Sequence, residues 1–221
     1  MTDGEATPAR PSPVQVGEPA PEFLLPLVGS DGTVSLAEYR GRSPLFLSLF
    51  LGLWCPFCRR AIAQFATAEP KLKAAGVEML GIVASAPHNA RLYFRYRPVP
   101  LRLAADPELS THRAYGLPKP AVTPELMKRL QATRVNPTGE LPEPLPIPEA
   151  SKALGRADGY APTATDNAEM ERQFPQLRGQ FLIDRHGIVR WTNIEASGGL
   201  QEMGRSPTTE EMLAAVRALP S

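Results

Sequence analysis

The stretch L-F-L-S-L-F-L-G-L-W-C-P-F-C-R-R-A-I-A-Q-F, residues 45–65, decides the fold of this chain. Its first part, 45–51, is almost wholly apolar, which is typical of a strand inside a parallel sheet that is covered on both faces. Gly52 marks the end of this strand. Pro56 suits the first position of a helix, because the N–H that proline lacks is not needed there. The sequence therefore predicts a buried strand that leads into a helix, with Cys55 at or next to the helix N-cap.

The position of Cys55 predicts a reactive thiol. At a helix N-terminus its sulfur would face unpaired backbone N–H groups and the positive end of the helix dipole. Arg59 and Arg60, in the next turn, are expected to add positive potential. Such surroundings lower a cysteine pKa from about 8.5 to somewhere between roughly 3.5 and 7.5. We therefore expect Cys55 to be the nucleophile.

Cys58 is predicted to be the shielded partner. It lies on one helix face with Ile62 and Phe65, at i, i+4 and i+7, and this face is apolar. Cys58 should thus point inward and Cys55 outward. Two cysteines at this spacing can form a disulfide, and an exposed nucleophile with a shielded partner is what reversible thiol–disulfide exchange requires.

Two other uses of the cysteine pair are open. A structural zinc site needs four ligands, but the chain has only 2 cysteines, and its 3 histidines are scattered singly. Inert buried cysteines would pack as small hydrophobic residues. The context of a strand, C-P-x-C and a helix argues against both uses. We expect neither a metal nor a cofactor.

Composition narrows the class of protein. The chain has 221 residues, 43% of them hydrophobic, and a net charge of +1, which favours one domain and gives no reason to expect nucleic acid or an anionic membrane as a partner. No apolar run approaches the roughly 20 residues of a membrane span, and the N-terminus lacks the layout of a signal peptide. We expect a cytoplasmic protein, in which a lone C-x-x-C is more often catalytic than structural.

The 25 prolines divide the chain into regular and irregular parts. Residues 1–15 are predicted to be a disordered tail, and residues 16–221 a single domain with an insertion at about 117–176. Helical turns are predicted at 126–130 and 170–174 of the insertion, and the proline-rich stretch between them is expected to be extended at best. Since a loop of this size is usually functional or mobile, the insertion is expected to cover the cysteine site or a dimer surface. A flexible excursion without function is the alternative.

The other segments predict a regular order of strands and helices. They are a hairpin over 23–34, a helical turn at 35–39, the strand and helix of 45–65, strands at 77–83 and 101–103, helices at 89–96 and 107–115, a strand pair at 181–183 and 188–194, and a final helix with a capping box at Thr208 and Glu211. Pro70 is expected to kink or end the first long helix near Glu69, and residues 71–75 are expected to continue helically to a cap at Gly76. This order is the thioredoxin arrangement. The predicted fold class is α/β: a thioredoxin-like fold with a central mixed sheet flanked by helices, an N-terminal hairpin and a long proline-rich insertion.

The segment W-C-P-F-C-R-R, residues 54–60, resembles the peroxiredoxin-like branch of the alkyl hydroperoxide reductase/thiol-specific antioxidant family. The stretches R-G-Q-F-L-I-D-R-H-G-I-V-R (178–190) and G-R-S-P-T-T-E-E-M (204–212) resemble the closing hairpin and helix of peroxiredoxins. The resemblance covers about residues 16–116 and 177–219.

The resemblance implies roles for individual residues. Cys55 stands where the family has its peroxidatic cysteine, Arg178 where an arginine steadies the thiolate and the peroxide, and Arg205 where a second arginine supports the site. The residues nominated as catalytic are Cys55, Cys58 and Arg178, and those nominated as supporting are Trp54, Pro56, Gly52 and Arg205.

Three positions depart from the patterns of related proteins. The peroxiredoxin signature P-x-x-x-[ST]-x-x-C has a proline and a hydroxyl residue where this chain has Ser48 and Gly52. The hydroxyl that holds the peroxide oxygen in that family is thus absent. Thioredoxins have a cis-proline before the hairpin strand, where this chain has Gly179. The chain combines a thioredoxin-style dithiol with a peroxiredoxin-style frame.

These observations predict a thiol-based oxidoreductase with an antioxidant role. It would cycle Cys55 and Cys58 between dithiol and disulfide to reduce peroxides or disulfides. Its implied partners are the oxidised substrate, a thiol reductant of the thioredoxin or glutathione type and, in a homodimer, a second copy. The alternative hypothesis is a non-enzymatic redox sensor or binding module on the same fold.

Overall fold

A computed structural model describes residues 10–220 of the chain. Its strands are β1 (Leu24–Pro26), β2 (Thr33–Ser35), β3 (Leu45–Phe50), β4 (Glu78–Val83), β5 (Leu103–Ala105), β6 (Arg134–Val135), β7 (Leu145–Pro146), β8 (Gly179–Ile183) and β9 (Val189–Ile194). Its α-helices are α1 (Pro56–Ala74), α2 (Pro87–Tyr96), α3 (Ser110–Ala114), α4 (Pro124–Ala132), α5 (Ile147–Ala157), α6 (Ala164–Gln173) and α7 (Thr209–Arg217), with short 3-10 turns at Leu36–Glu38 and Leu200–Glu202.

The centre of the fold is a five-stranded mixed sheet in the order β5-β4-β3-β8-β9. Strand β3 is parallel to β4 and antiparallel to β8. Every residue of β3 is buried because both faces of the sheet are covered. On one face Phe46 and Phe50 pack on Phe65 of α1, with ring centroids 6.0 and 5.8 Å apart. The predicted thioredoxin-like fold with a central mixed sheet is confirmed.

The N-terminal part of the chain covers the other face of the sheet. Strands β1 and β2 form the predicted antiparallel hairpin, and Val34 is buried in one cluster with Leu47 and Leu49 of β3. The predicted tail, residues 1–15, falls partly outside the described residues, at 1–9. Over 10–15 the chain packs on the domain: Val14 is buried and its N–H donates to the Tyr115 carbonyl at 3.1 Å, and the Arg10 N–H donates to the Arg113 carbonyl at 3.0 Å.

Helix α1 continues through Pro70 to Ala74, close to the predicted Gly76 cap, so the alternative that Pro70 would end the helix is wrong. Pro70 removes one backbone bond, but the buried residues Ala68 and Leu72 on either side keep that face of the helix on the sheet. The helix ends where Gly76 adopts a positive φ of 80°, as predicted.

Smaller differences concern the ends of elements. Strand β5 begins two residues later than predicted, at Leu103, because its pairing with β4 starts opposite Gly81.

The final helix α7 has the predicted capping box between Thr208 and Glu211. Within residues 10–220, no helix has the length and apolar character needed to cross a bilayer.

The insertion at 117–176 is more regular than predicted. The expected helical turns are the helices α4 and α6, and the proline-rich stretch between them contains the short β6–β7 hairpin and the helix α5. The stretch predicted to be extended at best, 136–149, includes β7 and the first three residues of α5, so the prediction is wrong only over 147–149. Pro148 lies in the first turn of α5, where proline is tolerated. Ile147, Ala150 and Leu154 form its buried stripe.

The buried His112 predicts a pH dependence of stability. Burial lowers its pKa from 6.5 to about 4, and both ring nitrogens lack a partner among the described residues. Between these values the unfolded chain binds a proton that the folded chain does not. Lowering the pH through this window should therefore destabilise the fold by up to about 1.4 kcal/mol per pH unit.

Chemical denaturation at pH 7 and pH 5 tests this expectation. The substitution His112→Leu should reduce the loss of unfolding free energy between the two pH values, because the titrating group is gone. His88→Leu, at an exposed site, keeps His112 and should retain the full loss. Equal losses in the His112→Leu variant and the unmodified chain would contradict the assignment.

Candidate functional site

Cys55 lies at the wall of a cavity of about 560 Å³ that is lined mostly by apolar side chains. One side of the cavity is the end of β3 and the start of α1, with Trp54 and Phe57. The opposite side comes from the insertion, with residues of α4, α5 and α6 and the loop that follows α6. The third side is the segment after β9, including Ala196 and Met203.

Cys55 is the N-cap residue of α1, as predicted. Its Sγ accepts a hydrogen bond from the Cys58 backbone N–H at 3.2 Å. Its carbonyl accepts from the N–H groups of Cys58 and Arg59 at 3.1 Å each, and its own N–H donates to the Gly52 carbonyl at 3.0 Å. Pro56 follows at the first helical position. The sulfur therefore lies at the first turn of α1, where backbone N–H groups have no partner within the helix.

The predicted exposure of Cys55 is wrong. Its side chain is buried, with 4% of the residue accessible, and Cys58 is wholly buried. The sequence could not show this, because many side chains around Cys55 belong to the insertion, roughly 65 to 120 residues further along the chain. A pattern among neighbouring residues gives no information about contacts over such separations. Cys55 meets the cavity, whereas Cys58 faces the core.

Arg178 supplies the positive charge of the site. Only 1% of it is exposed, and it lines the cavity together with Cys55. Its Nε and Nη2 donate to one oxygen of Glu195 at 2.9 and 2.5 Å, and its backbone N–H donates to the other oxygen at 3.2 Å. The N–H of Gly204 also donates to Glu195, at 3.0 Å. Nη1 of Arg178 has no hydrogen-bond partner within the described part of the chain.

The two thiols are separated by their pKa values. Burial works against ionisation of Cys55, but a hydrogen bond from the Cys58 side chain and the charge of Arg178 outweigh it and lower the pKa of Cys55. Burial raises the pKa of Cys58 well above its ordinary value, and the neighbouring Cys55 raises it further. The site therefore favours ionisation of Cys55 before that of Cys58.

Arg59 and Arg60 do not serve the role that the sequence predicts for them. Arg59 is buried, donates to the Leu53 carbonyl at 2.6 Å and forms an ion pair with Asp158 of the insertion at 2.5 Å. Arg60 pairs with Glu140 at 2.9 Å and with Asp158 at 2.7 Å. Both arginines link α1 to the insertion by ion pairs. The positive charge that lowers the pKa of Cys55 comes from Arg178.

Gly52 and Trp54, two of the nominated supporting residues, lie side by side. Gly52 lies in the loop before Cys55, and a Cβ at this position would come within 2.5 Å of the Trp54 ring. Trp54 is partly buried and lines the cavity. The indole thus occupies the space that any larger residue at position 52 would need. This contact explains in physical terms why position 52 is a glycine.

Arg205 is not brought to the cysteines. Its side chain is about half exposed and forms an ion pair with Glu211 of α7. It lines a separate groove of about 670 Å³ on the other side of Phe57. Support from this segment comes instead from the backbone N–H of Gly204, which holds Glu195. Gly179 begins β8, and the cis peptide bond lies earlier, between Phe174 and Pro175.

Sequence reasoning missed three polar residues of the site: Glu195, Glu169 and Gln173, which are all buried. Glu195 directly follows strand β9, and a carboxylate at a strand end is a signal that could have been used. Gln173 lies on α6 and binds the loop before Cys55 directly, whereas Glu169, on the same helix, accepts from Ser85, which in turn accepts from the Leu53 N–H of that loop. No local pattern could connect Gln173 with a loop residue that lies 121 positions away.

Metal ligands do not gather at the cysteines. Across residues 10–220, no group of three His, Cys, Asp or Glu side chains is arranged to hold a metal ion. The cysteine pair has Arg178 and apolar side chains around it, which is a poor ligand set for the zinc alternative.

Comparison with known sequences finds a family whose sequence model this chain matches. The sequence model of the AhpC/TSA family matches residues 16–192, which is most of the chain. No curated protein sequence matches the chain.

Comparison with solved structures supports the fold. The reduced 2-Cys peroxiredoxin of Plasmodium vivax is 17% identical, with a TM-score of 0.59 over 93% of this chain and 82% of that one. The peroxidoxin BcpB of Mycobacterium tuberculosis is 14% identical, with a TM-score of 0.58 over 94% of this chain and 99% of that one. At these identities the likeness concerns the fold.

The buried pair of Arg178 and Glu195 predicts how the thiolate and the fold depend on each other. Arg178→Met should raise the pKa of Cys55, and it should also cost about 3–5 kcal/mol of stability because Glu195 is left buried without its partner. The double variant Arg178→Met with Glu195→Gln should recover much of the stability while the pKa of Cys55 stays high. Alkylation rates against pH, with thermal unfolding, measure both effects. A low Cys55 pKa in the double variant would show that Arg178 is not its cause.

Proposed function

This chain belongs to the AhpC/TSA family, and from that premise we propose that it is a thiol-based oxidoreductase that cycles Cys55 and Cys58 between dithiol and disulfide. One observation carries the proposal: a cysteine with a lowered pKa at a helix N-cap meets a cavity, next to a second cysteine with a raised pKa. The first is suited to attack and the second to resolve.

The chemistry with a peroxide would run in two steps. The Cys55 thiolate attacks one peroxide oxygen, the O–O bond breaks, and the leaving oxygen takes a proton and departs as an alcohol or water. Cys55 is then a sulfenic acid. The sulfur of Cys58 attacks Cys55, water leaves, and the disulfide forms. An external dithiol of the thioredoxin type, or two thiols of the glutathione type, then returns two electrons and two protons and is itself oxidised to a disulfide.

The chemistry with a disulfide would use the same two residues. The Cys55 thiolate attacks one sulfur of the substrate and releases the other as a thiolate, which forms a mixed disulfide. Cys58 then attacks Cys55 and releases the second half of the substrate. The burial of Cys58 keeps its thiol protonated, so it must lose its proton as it attacks.

The cavity favours a small organic substrate. Its wall near Cys55 is mainly apolar, and its volume of about 560 Å³ is within the range of sites for small molecules. Because only 4% of Cys55 is accessible, the disulfide of a folded protein cannot reach it unless the insertion moves. An organic hydroperoxide or a small disulfide can enter without such a change.

Some features of the site favour a peroxide as the substrate, and others favour a disulfide. Arg178, with its unpartnered Nη1 among the described residues, favours a peroxide because it can donate to an oxygen. Gly52 provides no hydroxyl, and the Trp54 ring fills the space around it, which favours disulfide exchange. Stopped-flow reactions of the reduced protein with cumene hydroperoxide and with a small aryl disulfide separate the two.

The near-complete burial of Cys55 is the observation that favours a second candidate, a redox sensor without turnover. In that case Cys55→Ser would leave the binding role of the protein intact. A cytoplasmic location, a homodimer and the identity of the thiol reductant belong to the proposal in the same way, as expectations from the sequence.

Substitution of each cysteine tests the proposed cycle. Cys55→Ser should abolish reduction of either substrate. Cys58→Ser should keep the first reaction, since the nucleophile is intact, but should stop after one turnover with Cys55 as a sulfenic acid or mixed disulfide. Mass spectrometry of the trapped protein checks this outcome. Sustained turnover by Cys55→Ser would contradict the proposal, and so would an ordinary pKa near 8.5 for Cys55 in the unmodified protein.

The apolar cavity makes a separate prediction about specificity. Met170 of α6 lines it and is partly exposed. Met170→Lys would place a charge in the cavity and should lower kcat/KM for cumene hydroperoxide or an aryl disulfide at least fivefold, which is about 1 kcal/mol. Reaction with hydrogen peroxide should change little. Leu92→Lys, on the exposed face of α2, is the matched control, and an equal effect of both variants would refute a binding role for the cavity.

A further inference from the structure

Helix α6 of the insertion has one face in the cavity and another face on the loop that precedes Cys55. Met170 and Phe174 at its C-terminal end line the cavity. Gln173 and Glu169, one helical turn apart, point to the opposite side and are buried. The helix therefore contacts both the space for the substrate and the support of the nucleophile.

Gln173 holds two residues of that loop at once. Its side-chain oxygen accepts from the Gly52 backbone N–H and from the Trp54 indole N–H, at 2.8 Å each. Its side-chain nitrogen donates to the Ala84 carbonyl at 2.5 Å. A wholly buried amide that makes three bonds fixes the groups around it, because each broken bond would leave a polar atom unsatisfied.

Glu169 holds the residue between them through Ser85. The Leu53 N–H donates to the Ser85 hydroxyl at 3.0 Å, and this hydroxyl donates to Glu169 at 2.8 Å. The other carboxylate oxygen of Glu169 accepts from the Ala86 N–H at 2.9 Å. The three consecutive residues before Cys55 are thus all bound, directly or through one hydroxyl, to α6.

The loop in turn sets the position of Cys55. The Cys55 N–H donates to the Gly52 carbonyl, on the same residue that Gln173 holds by its N–H. The Leu53 carbonyl is held by Arg59 at 2.6 Å. With these bonds in place, the Sγ of Cys55 lies 3.2 Å from the Cys58 nitrogen, in the N-cap position that the proposed chemistry needs.

We propose that Gln173 is a positioning residue for Cys55 and acts through Gly52 and Trp54. It touches neither sulfur in the structure, and its effect is to keep the loop in the one conformation that places Cys55 at the helix N-cap. The inference rests on the proposed thiol chemistry and deepens it, because it makes the insertion part of the reactive site.

The test compares Gln173→Met with the unmodified protein. Methionine has a similar shape but cannot accept the two N–H bonds. Alkylation of the reduced protein by iodoacetamide between pH 5 and 9, in a Cys58→Ser background, reports the thiolate of Cys55 alone. We expect the rate at pH 6 to fall about tenfold and the pH profile to shift upward, because the N-cap geometry is lost.

The matched control is Gln180→Met. Gln180 is a second buried glutamine, which accepts from Asn193 at 2.6 Å and makes no hydrogen bond to the loop. Both variants should lower the melting temperature, but only Gln173→Met should shift the alkylation profile. A combined Gln173→Met and Trp54→Phe variant should show less than the sum of the two single effects, since the two residues share one bond.

The outcomes separate this inference from the proposed function. An ordinary Cys55 pKa in the protein that has both residues intact overturns the proposed function and this inference with it. A low pKa that Gln173→Met leaves unchanged, with the same loss of melting temperature as Gln180→Met, overturns this inference alone. Should Gln173→Met fail to fold, Trp54→Phe removes one of the two bonds, and an unshifted profile in that variant has the same consequence.

Discussion

The lowered pKa of a sulfur that is almost inaccessible to water is the constraint on which this site depends. Burial by itself would keep Cys55 protonated, so the fold must supply the compensation. It does so with a helix end, a hydrogen bond from Cys58 and the guanidinium of Arg178. Arg178 is itself buried and requires Glu195. Each charge is thus placed where the next one stabilises it.

The insertion is part of this arrangement. Arg59 and Arg60 of α1 form ion pairs with it, and the guanidinium of Arg59 also lies 4.2 Å from the centre of the Tyr160 ring. These contacts place α4, α5 and α6 over Cys55, where their apolar side chains exclude water and strengthen the electrostatic interactions beneath them. The burial that opposes ionisation of the sulfur therefore also increases the effect of Arg178 on it.

Prediction from sequence succeeded where a local pattern carries the information. The apolar run of β3, the proline after Cys55 and the capping box of α7 each act within one or two turns, and each was located correctly. It failed in the insertion, where prolines suggested an extended chain. Pro148 in fact lies in the first turn of helix α5, because packing of the apolar stripe of that helix decides the conformation there. It failed also for the exposure of Cys55, which residues far along the chain determine.

The sequence by itself determined the thioredoxin-like frame and the cysteine pair at a helix N-terminus, because hydrophobic periodicity and proline placement act over short distances. Only the tertiary structure decided that Arg59 and Arg60 pair with the insertion, that Glu195 accompanies Arg178, and that Gln173 binds the loop from a helix of the insertion. These contacts join segments separated by up to 121 positions. Charge and hydrogen-bond partners at such separations are set by how the whole chain packs, and a single sequence contains no local signal for them.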